Sequence, residues 1–236
     1  MKIALLGGSF NPVHKGHLKL AESAVILAGY DRVVFVPAYQ SPFKQRCSKG
    51  AVASSLETAY PCAASDEDRI EMLRLAIKQY PWAELDLCEI ERGGVSYTID
   101  TVRFLTKKYT TEGLLLENGH HLLKAENECL KGERGFLEGK LGIIIGADLV
   151  AGFPRWKEAD ALAREADIIL ARRPDALKEN GDFAEQFAYP HISIMNEMHD
   201  ISSTEIRERI ASHGELSELI PDEICRYIKH RGIYDS

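Results

Sequence analysis

A glycine-rich segment near the start of the chain, residues 7 to 17, constrains the possible folds most. It reads Gly-Gly-Ser-Phe-Asn-Pro-Val-His-Lys-Gly-His and stands between an apolar run, Ile3 to Leu6, and an amphipathic segment, Leu18 to Ala28. This order predicts a strand, a tight turn and the start of a helix. Paired glycines let backbone N–H groups approach a ligand, and the first N–H groups of a helix attract anions. The segment therefore predicts a phosphate-binding site.

Two histidines, His14 and His17, fall on one face of the predicted first helical turn. Their imidazoles could donate hydrogen bonds to a bound phosphate. The alternatives are a glycine turn with a purely structural role and a metal site. A zinc protease needs His at i and i+4 with Glu between them, and that pattern is absent from the segment. The segment also lacks the Gly-Lys-Ser/Thr ending of a P-loop and the Gly-x-Gly-x-x-Gly dinucleotide fingerprint.

The rest of the sequence predicts an α/β fold with a Rossmann-like parallel sheet flanked by helices. Gly29 is suited to end the first helix, and residues 32–36 form a second apolar run that Pro37 closes. A strand–helix–strand unit with a short crossover implies parallel strands. Further apolar runs predict strands within 83–90, 141–145, 167–171 and 191–195, and the chain ends in predicted helices. Ligands bind such sheets at the carboxyl ends of their strands.

The first segment resembles the signature of the nucleotidyltransferase superfamily, which is His-x-Gly-His after a glycine-rich turn. The eleven residues together are similar to the bacterial nicotinate-mononucleotide adenylyltransferases. This resemblance implies transfer of AMP from ATP to nicotinate mononucleotide, giving nicotinate adenine dinucleotide and pyrophosphate, in NAD biosynthesis. It implies that His14 and His17 are catalytic. The residues that it assigns to ATP binding here are Gly7, Gly8, Ser9 and Phe10, with Mg²⁺ carried by the ATP.

A second segment, Ile201 to Arg207, has two possible roles, which are helix capping and phosphate binding. Ser202 and Glu205 have the spacing of a helix capping box. Three consecutive hydroxyls and a nearby arginine exceed what a cap requires and suit phosphate. The segment resembles the family motif Ile-Ser-Ser-Thr-x-Ile-Arg, which implies that Ser202, Ser203, Thr204 and Arg207 bind the phosphates of ATP.

Residues between the two segments are predicted to recognise the rest of the substrates. Gly146-Ala147-Asp148 ends a predicted strand, where an acid often contacts a ribose, although Asp148 could instead cap a helix. The resemblance implies that Gly146 and Asp148 bind ATP. Ser96 or Thr98 could cap the next helix, and Trp156 could be an ordinary core residue. The resemblance instead places Tyr97, Thr98 and Trp156 against the nicotinate ring and its carboxylate.

One loop and two predicted insertions remain to be interpreted. The loop at residues 37–44 ends in Lys44, which is either a surface lysine or, by resemblance, a phosphate ligand. The family has Pro-Pro-His-Lys there, and this chain has phenylalanine in place of the histidine. Residues 45–64 are polar and have no clear periodicity, and residues 110–139 are rich in Glu, Gly and Lys. Both stretches are predicted insertions in a single nucleotidyltransferase domain that spans residues 1–236.

The net charge, the cysteines and the length of the apolar runs argue against several classes of protein. A chain of 236 residues with a net charge of −7 is too acidic for a general nucleic-acid binder. Five scattered cysteines favour reduced thiols, and no apolar run is long enough for a signal peptide or a membrane span. We expect a cytoplasmic enzyme that binds ATP and nicotinate mononucleotide without nucleic acid, membrane or a protein-held metal; a homo-oligomer is possible. The alternative functions are adenylylation of nicotinamide mononucleotide or phosphopantetheine, cytidylyl transfer, and nucleotide sensing without catalysis.

Overall fold

The structure, a computed structural model, describes residues 1–42, 64–114, 139–172, 187–195 and 201–234. Lys44 lies outside these residues, as do nearly all of the two predicted insertions. Only the backbone of Asp148 is described. The helix before the second predicted insertion continues to Thr111, so the first residues of 110–139 are helical.

The described residues contain six strands, all parallel, in the order β3-β2-β1-β4-β5-β6. Strands β1 and β4 lie at the centre and are almost wholly buried, which explains why both are continuous apolar runs. The predicted Rossmann-like α/β fold is therefore confirmed. The strands are β1 (Ile3–Gly8), β2 (Arg32–Pro37), β3 (Ala83–Leu85), β4 (Leu141–Gly146), β5 (Ala166–Arg172) and β6 (His191–Met195).

Helices cover both faces of this sheet, and each face has its own core of buried apolar side chains. Four helices pack on one face: α1 (Lys15–Ala28), α2 (Asp66–Ile77), α6 (Ser203–Ala211) and α7 (Asp222–Arg231). The opposite face carries α3 (Cys88–Arg92), α4 (Thr98–Thr111), α5 (Ala159–Glu165) and the 3₁₀ helix Ala147–Arg155.

The prediction of a strand over residues 83–90 was only partly right. Strand β3 ends at Leu85, and Cys88 begins helix α3 instead of continuing the strand. The Asp86 carboxylate accepts a hydrogen bond from the Cys88 backbone N–H at 2.9 Å, which turns the chain out of the sheet. The predicted end of α1 is confirmed, since Gly29 adopts a left-handed conformation with φ of 69°.

Within the described ranges, none of the helices combines the length and the apolar character that crossing a membrane requires.

Candidate active site

The candidate site lies where the strand order changes direction. Strand β1 pairs with β2 on one side and with β4 on the other, so the chain winds outward in both directions from this point. Loops that leave neighbouring strands in opposite directions open a crevice at the carboxyl ends of those strands. The predicted residues Gly7 and Gly8 end β1, and Gly146 ends β4. The fold therefore brings three of the predicted ATP-binding residues to this crevice.

The glycine-rich turn is held in shape by Phe10. This residue has φ of 46°, in the region that side chains rarely adopt, and its ring is buried. The ring packs against the His17 imidazole, with centroids 4.9 Å apart, and against Phe35. A Cβ on Gly8 would lie 3.1 Å from the same ring. The role of Phe10 in the structure is thus to fill the space beneath the turn and orient His17.

His14 is a buried histidine at the start of α1, with 6% of its surface exposed. Burial lowers the pKa of its imidazole to about 4, so the ring is neutral near pH 7. Its Nδ1 has no hydrogen-bond partner among the described residues. A Cβ on Gly16 would lie 3.0 Å from this Nδ1, which gives a steric reason for the glycine between the two histidines.

The His17 imidazole stacks on that of His14, with ring centroids 3.6 Å apart. Its Nδ1 accepts a hydrogen bond from the His14 backbone N–H at 3.3 Å. The neutral His17 ring therefore carries its proton on Nε2, because Nδ1 is engaged as the acceptor. This arrangement makes Nε2–H a donor and fixes the plane of the ring.

The second motif contacts the first directly, although they are nearly two hundred residues apart in sequence. Ser203 Oγ donates to the Pro12 carbonyl at 3.0 Å. The Arg207 guanidinium donates to the Asn11 carbonyl at 2.7 Å and to Thr204 Oγ1 at 3.2 Å. The structure therefore joins the two predicted phosphate segments into one unit.

The predicted cap of the second motif is also present. Ser202 Oγ accepts a hydrogen bond from the Glu205 backbone N–H at 3.1 Å, at the start of α6. The Ser202 hydroxyl is thus engaged in capping, and Ser203 and Thr204 are engaged in contacts between or within the motifs. The hydroxyls build the helix N-terminus that was predicted to bind phosphate.

Sequence reasoning missed Arg69, a buried arginine on α2 with 6% of its surface exposed. Its guanidinium donates to the carbonyls of Ser9 at 2.7 Å and Ala38 at 2.9 Å, and it forms an ion pair with Asp66 at 2.7 Å. It thereby joins the glycine-rich turn to the loop after β2. The only signal in the sequence was the Asp66–Arg69 spacing, which is equally typical of a surface pair.

Sequence reasoning also missed the contribution of the C-terminal segment. Tyr234 donates its hydroxyl proton to Asn11 Oδ1 at 2.6 Å, and the Ala64 backbone N–H donates to the same oxygen at 3.0 Å. The Lys15 backbone N–H donates to the Leu219 carbonyl at 2.9 Å. Residues near the end of the chain therefore stabilise the first motif, and no local pattern in the sequence indicated these contacts.

The residues predicted for the pyridine nucleotide lie on the other face of the sheet, around the start of α4. Tyr97 is the residue before the helix, and its side chain does not cap the helix start. Capping of α4 by Ser96 or Thr98, which the sequence left open, is not observed, because Tyr97 holds the N-cap position and Ser96 Oγ accepts from the Tyr39 backbone N–H at 3.1 Å. Thr98 is the first helical residue.

Trp156 follows the 3₁₀ helix and packs on the buried ring of Phe153, with centroids 5.1 Å apart. The next residue, Lys157, links this segment to α4. Its ammonium lies 4.7 Å from the centroid of the Tyr97 ring and 2.9 Å from the Asp100 carboxylate. The structure thus brings the segments of Tyr97 and Trp156 together, with a lysine between them that the sequence analysis did not select.

Metal-ligating side chains do not cluster in the described part of the chain. No group of three or more His, Cys, Asp and Glu residues there is arranged to hold a metal ion.

Comparisons with known proteins identify the class. Residues 5–209 match the cytidylyltransferase-like family, and the chain belongs to this family. A probable nicotinate-nucleotide adenylyltransferase of Treponema pallidum is 35% identical over 242 residues, which cover all of both chains. The nicotinate-nucleotide adenylyltransferase of Bacillus subtilis is 31% identical over 235 residues, covering 100% of this chain and 99% of the relative. The resemblance predicted from the motifs is confirmed.

Solved structures share the fold at low sequence identity. The nicotinic acid mononucleotide adenylyltransferase of Plasmodium falciparum, complexed with APC, has a TM-score of 0.64 and 16% identity, and the match covers 99% of this chain and 96% of that one. A putative nicotinate-nucleotide adenylyltransferase of Vibrio parahaemolyticus has a TM-score of 0.59 and 15% identity, with the same coverage. At this identity the likeness supports the fold.

Proposed function

We propose that the protein transfers AMP from ATP to nicotinate mononucleotide, giving nicotinate adenine dinucleotide and pyrophosphate, as a step of NAD biosynthesis. The observation that carries this proposal is the union of the two predicted phosphate motifs at the carboxyl ends of the central strands, with a stacked histidine pair in the first of them. Full-length relatives that carry the name nicotinate-nucleotide adenylyltransferase support the choice of substrate.

In the proposed reaction the phosphate of the mononucleotide attacks the α-phosphorus of ATP, and pyrophosphate leaves. The substrate supplies the nucleophile, so the protein contributes position and stabilisation of charge on the phosphoryl oxygens. His17 would donate from Nε2–H to those oxygens, since its Nδ1 is already engaged. His14 would act as a neutral ring, because burial lowers its pKa to about 4.

The second motif would bind the leaving pyrophosphate. Arg207 carries a fixed positive charge, and the N-terminus of α6 adds backbone N–H donors beside Ser202, Ser203 and Thr204. Gly7, Gly8, Ser9 and Phe10 would shape the turn against the α-phosphate. Lys44, Gly146 and Asp148 remain predicted ATP ligands on the strength of the resemblance.

Mg²⁺ would be held by the phosphates of ATP, and it would neutralise part of their charge when bound. The donors of the described site fit this arrangement, since they are imidazoles, hydroxyls, a guanidinium and backbone N–H groups rather than a carboxylate cage.

The start of α4 would select the pyridine nucleotide. Tyr97 at its N-terminus does not cap it with a side chain, so backbone N–H donors and the helix dipole would bind the ring carboxylate of nicotinate. Tyr97, Thr98 and Trp156 would surround the ring. A nicotinamide ring lacks the negative charge and gains less from this helix N-terminus. We further propose a cytoplasmic location and a single domain in which residues 45–64 and 110–139 are additions.

A substrate panel tests the proposal. Purified protein with Mg²⁺ is given ATP or CTP, together with nicotinate mononucleotide, nicotinamide mononucleotide or phosphopantetheine, and pyrophosphate release is measured. We expect the highest kcat/KM for ATP with nicotinate mononucleotide. Higher kcat/KM with another acceptor would overturn the substrate assignment. Calorimetric binding of ATP without turnover of any acceptor would instead support a nucleotide sensor.

A further inference from the structure

A buried carboxylate on helix α3 lies behind the start of α4. The sequence analysis gave no function to any residue of this helix. Glu89, on α3, is 6% exposed. Its carboxylate accepts a hydrogen bond from Thr101 Oγ1 at 2.5 Å and another from the Ser96 hydroxyl. Burial raises the pKa of this carboxyl above its ordinary value. Buried acids are rare and are retained with hydrogen-bonding partners, so the partners indicate what the residue holds in place.

Ser96 extends this contact to the loop that follows β2. Its hydroxyl has one proton, which it gives to Glu89, and its oxygen accepts from the Tyr39 backbone N–H at 3.1 Å. The Ser96 backbone N–H donates to the Gln40 carbonyl at 2.8 Å. The segment before α4 and the loop after β2 are therefore joined by two hydrogen bonds, one of which depends on the orientation of the Ser96 hydroxyl.

Thr101 anchors the other side of the helix start. It is fully buried on the first turn of α4, and its oxygen also accepts from Arg92 Nη2 at 3.3 Å. Its backbone N–H donates to the Tyr97 carbonyl at 3.3 Å. Glu89 therefore holds Ser96, immediately before Tyr97 and Thr98, and Thr101, shortly after them.

We propose that Glu89 is a positioning residue for the pyridine nucleotide, which fixes the N-terminus of α4 by accepting hydrogen bonds from Ser96 and Thr101. The inference rests on the proposed function, and it adds a residue that does not touch the substrate. A carboxylate suits this place because it only accepts and can orient both hydroxyl protons toward itself. An amide would present N–H groups to one hydroxyl, whose proton would then have to turn away.

The test is steady-state kinetics of the full chain carrying Glu89→Gln, with ATP and nicotinate mononucleotide varied in turn. We expect KM for nicotinate mononucleotide to rise about tenfold, while KM for ATP and kcat at saturation stay within about twofold. A merely structural role would reduce the fraction of folded enzyme and hence kcat, without changing either KM. Glu91→Gln is the matched control, since Glu91 is exposed on the same helix, and it should leave all three values unchanged.

A second variant keeps the inference testable if Glu89→Gln does not fold. Ser96→Ala removes the same tie and keeps the buried carboxylate, so it should also raise KM for the mononucleotide. The double variant should lose less than the two single effects combined, because both act through one network. Wild-type turnover with an unchanged KM in Glu89→Gln and Ser96→Ala would overturn the inference and leave the proposed function standing. Absence of wild-type turnover with nicotinate mononucleotide would overturn both.

Discussion

The candidate site has two halves, and a different kind of contact holds each of them in shape. The phosphate half comprises residues 7–17 and 201–207, and the pyridine half comprises the start of α4 and Trp156. In the phosphate half, buried or half-buried arginines donate to backbone carbonyls far away in sequence, as Arg69 does to Ser9 and Arg207 to Asn11. In the pyridine half, the buried Glu89 carboxylate holds the start of α4 through two hydroxyls close to it in sequence, those of Ser96 and Thr101. The first arrangement fixes the backbone shape of the segments proposed to bind phosphate. The second fixes a single helix end.

The largest expected effect comes from breaking the phosphate half at Arg69. Replacing it with Met leaves the carbonyls of Ser9 and Ala38 and the Asp66 carboxylate without their buried donor. We expect the free energy of unfolding to fall by about 3–5 kcal/mol. Urea denaturation measures this change. The control is Arg74→Met on the same helix, where the side chain is largely exposed and the expected change is within about 0.5 kcal/mol. Equal losses in both variants would contradict the bracing role.

The next effect concerns catalysis within the same half. His17→Ala removes the proposed donor to the phosphoryl oxygens, and we expect kcat to fall about 10²–10³-fold, or about 2.7–4 kcal/mol. The exposed His230 offers the matched control His230→Ala, with unchanged kcat expected. Single-turnover release of pyrophosphate measures the chemical step. If His17→Ala turned over at the wild-type rate, the donor role would be wrong.

The burial of His14 predicts a pH dependence of stability. The folded ring stays neutral down to about pH 4, whereas the unfolded ring is protonated below about pH 6.5. The unfolded state therefore binds more protons in this window, and the contribution of His14 to stability is lost as the pH falls from 6.5 to 4. The full difference is about 3 kcal/mol.

The measurement for His14 compares unfolding free energies of the wild type and His14→Gln between pH 4 and pH 8. Other titrating groups contribute to both proteins and cancel in the difference. We expect the wild type to lose stability relative to the variant as the pH falls through this window. A difference that does not vary with pH would show that the ring ionises as readily in the folded state as in the unfolded one.

The smallest effect is expected at the surface of the pyridine half. Lys157→Met removes an ammonium that lies over Tyr97 and pairs with Asp100, and both charged side chains are more than a third exposed. We expect less than about 1 kcal/mol of lost stability. Thermal unfolding measures it, and a loss as large as that of Arg69→Met would erase the difference between the halves.

The sequence motifs predicted which segments meet at the candidate site. They did not predict the hydrogen bonds that hold those segments in place. Strand periodicity and the two histidines located the crevice, since apolar runs and glycine turns have local patterns. Arg69 and Tyr234 had no such pattern, because a backbone carbonyl or a distant amide accepts hydrogen bonds from any donor that the fold delivers. The sequence left open a capping role for Ser96 or Thr98, because their residue types and spacing suit a cap, yet a tertiary contact with Tyr39 engages the Ser96 hydroxyl.

The central claim is that one site has two separable halves, one for each substrate. The direct measurement is initial-rate kinetics with both substrates varied, on wild type, Arg207→Met and Trp156→Ala. We predict that Arg207→Met raises KM for ATP about tenfold and leaves KM for nicotinate mononucleotide within about twofold. Trp156→Ala should show the reverse, because it removes the surface proposed to stack on the pyridine ring. If both variants raised the KM of the same substrate, the division of the site into two halves would be contradicted.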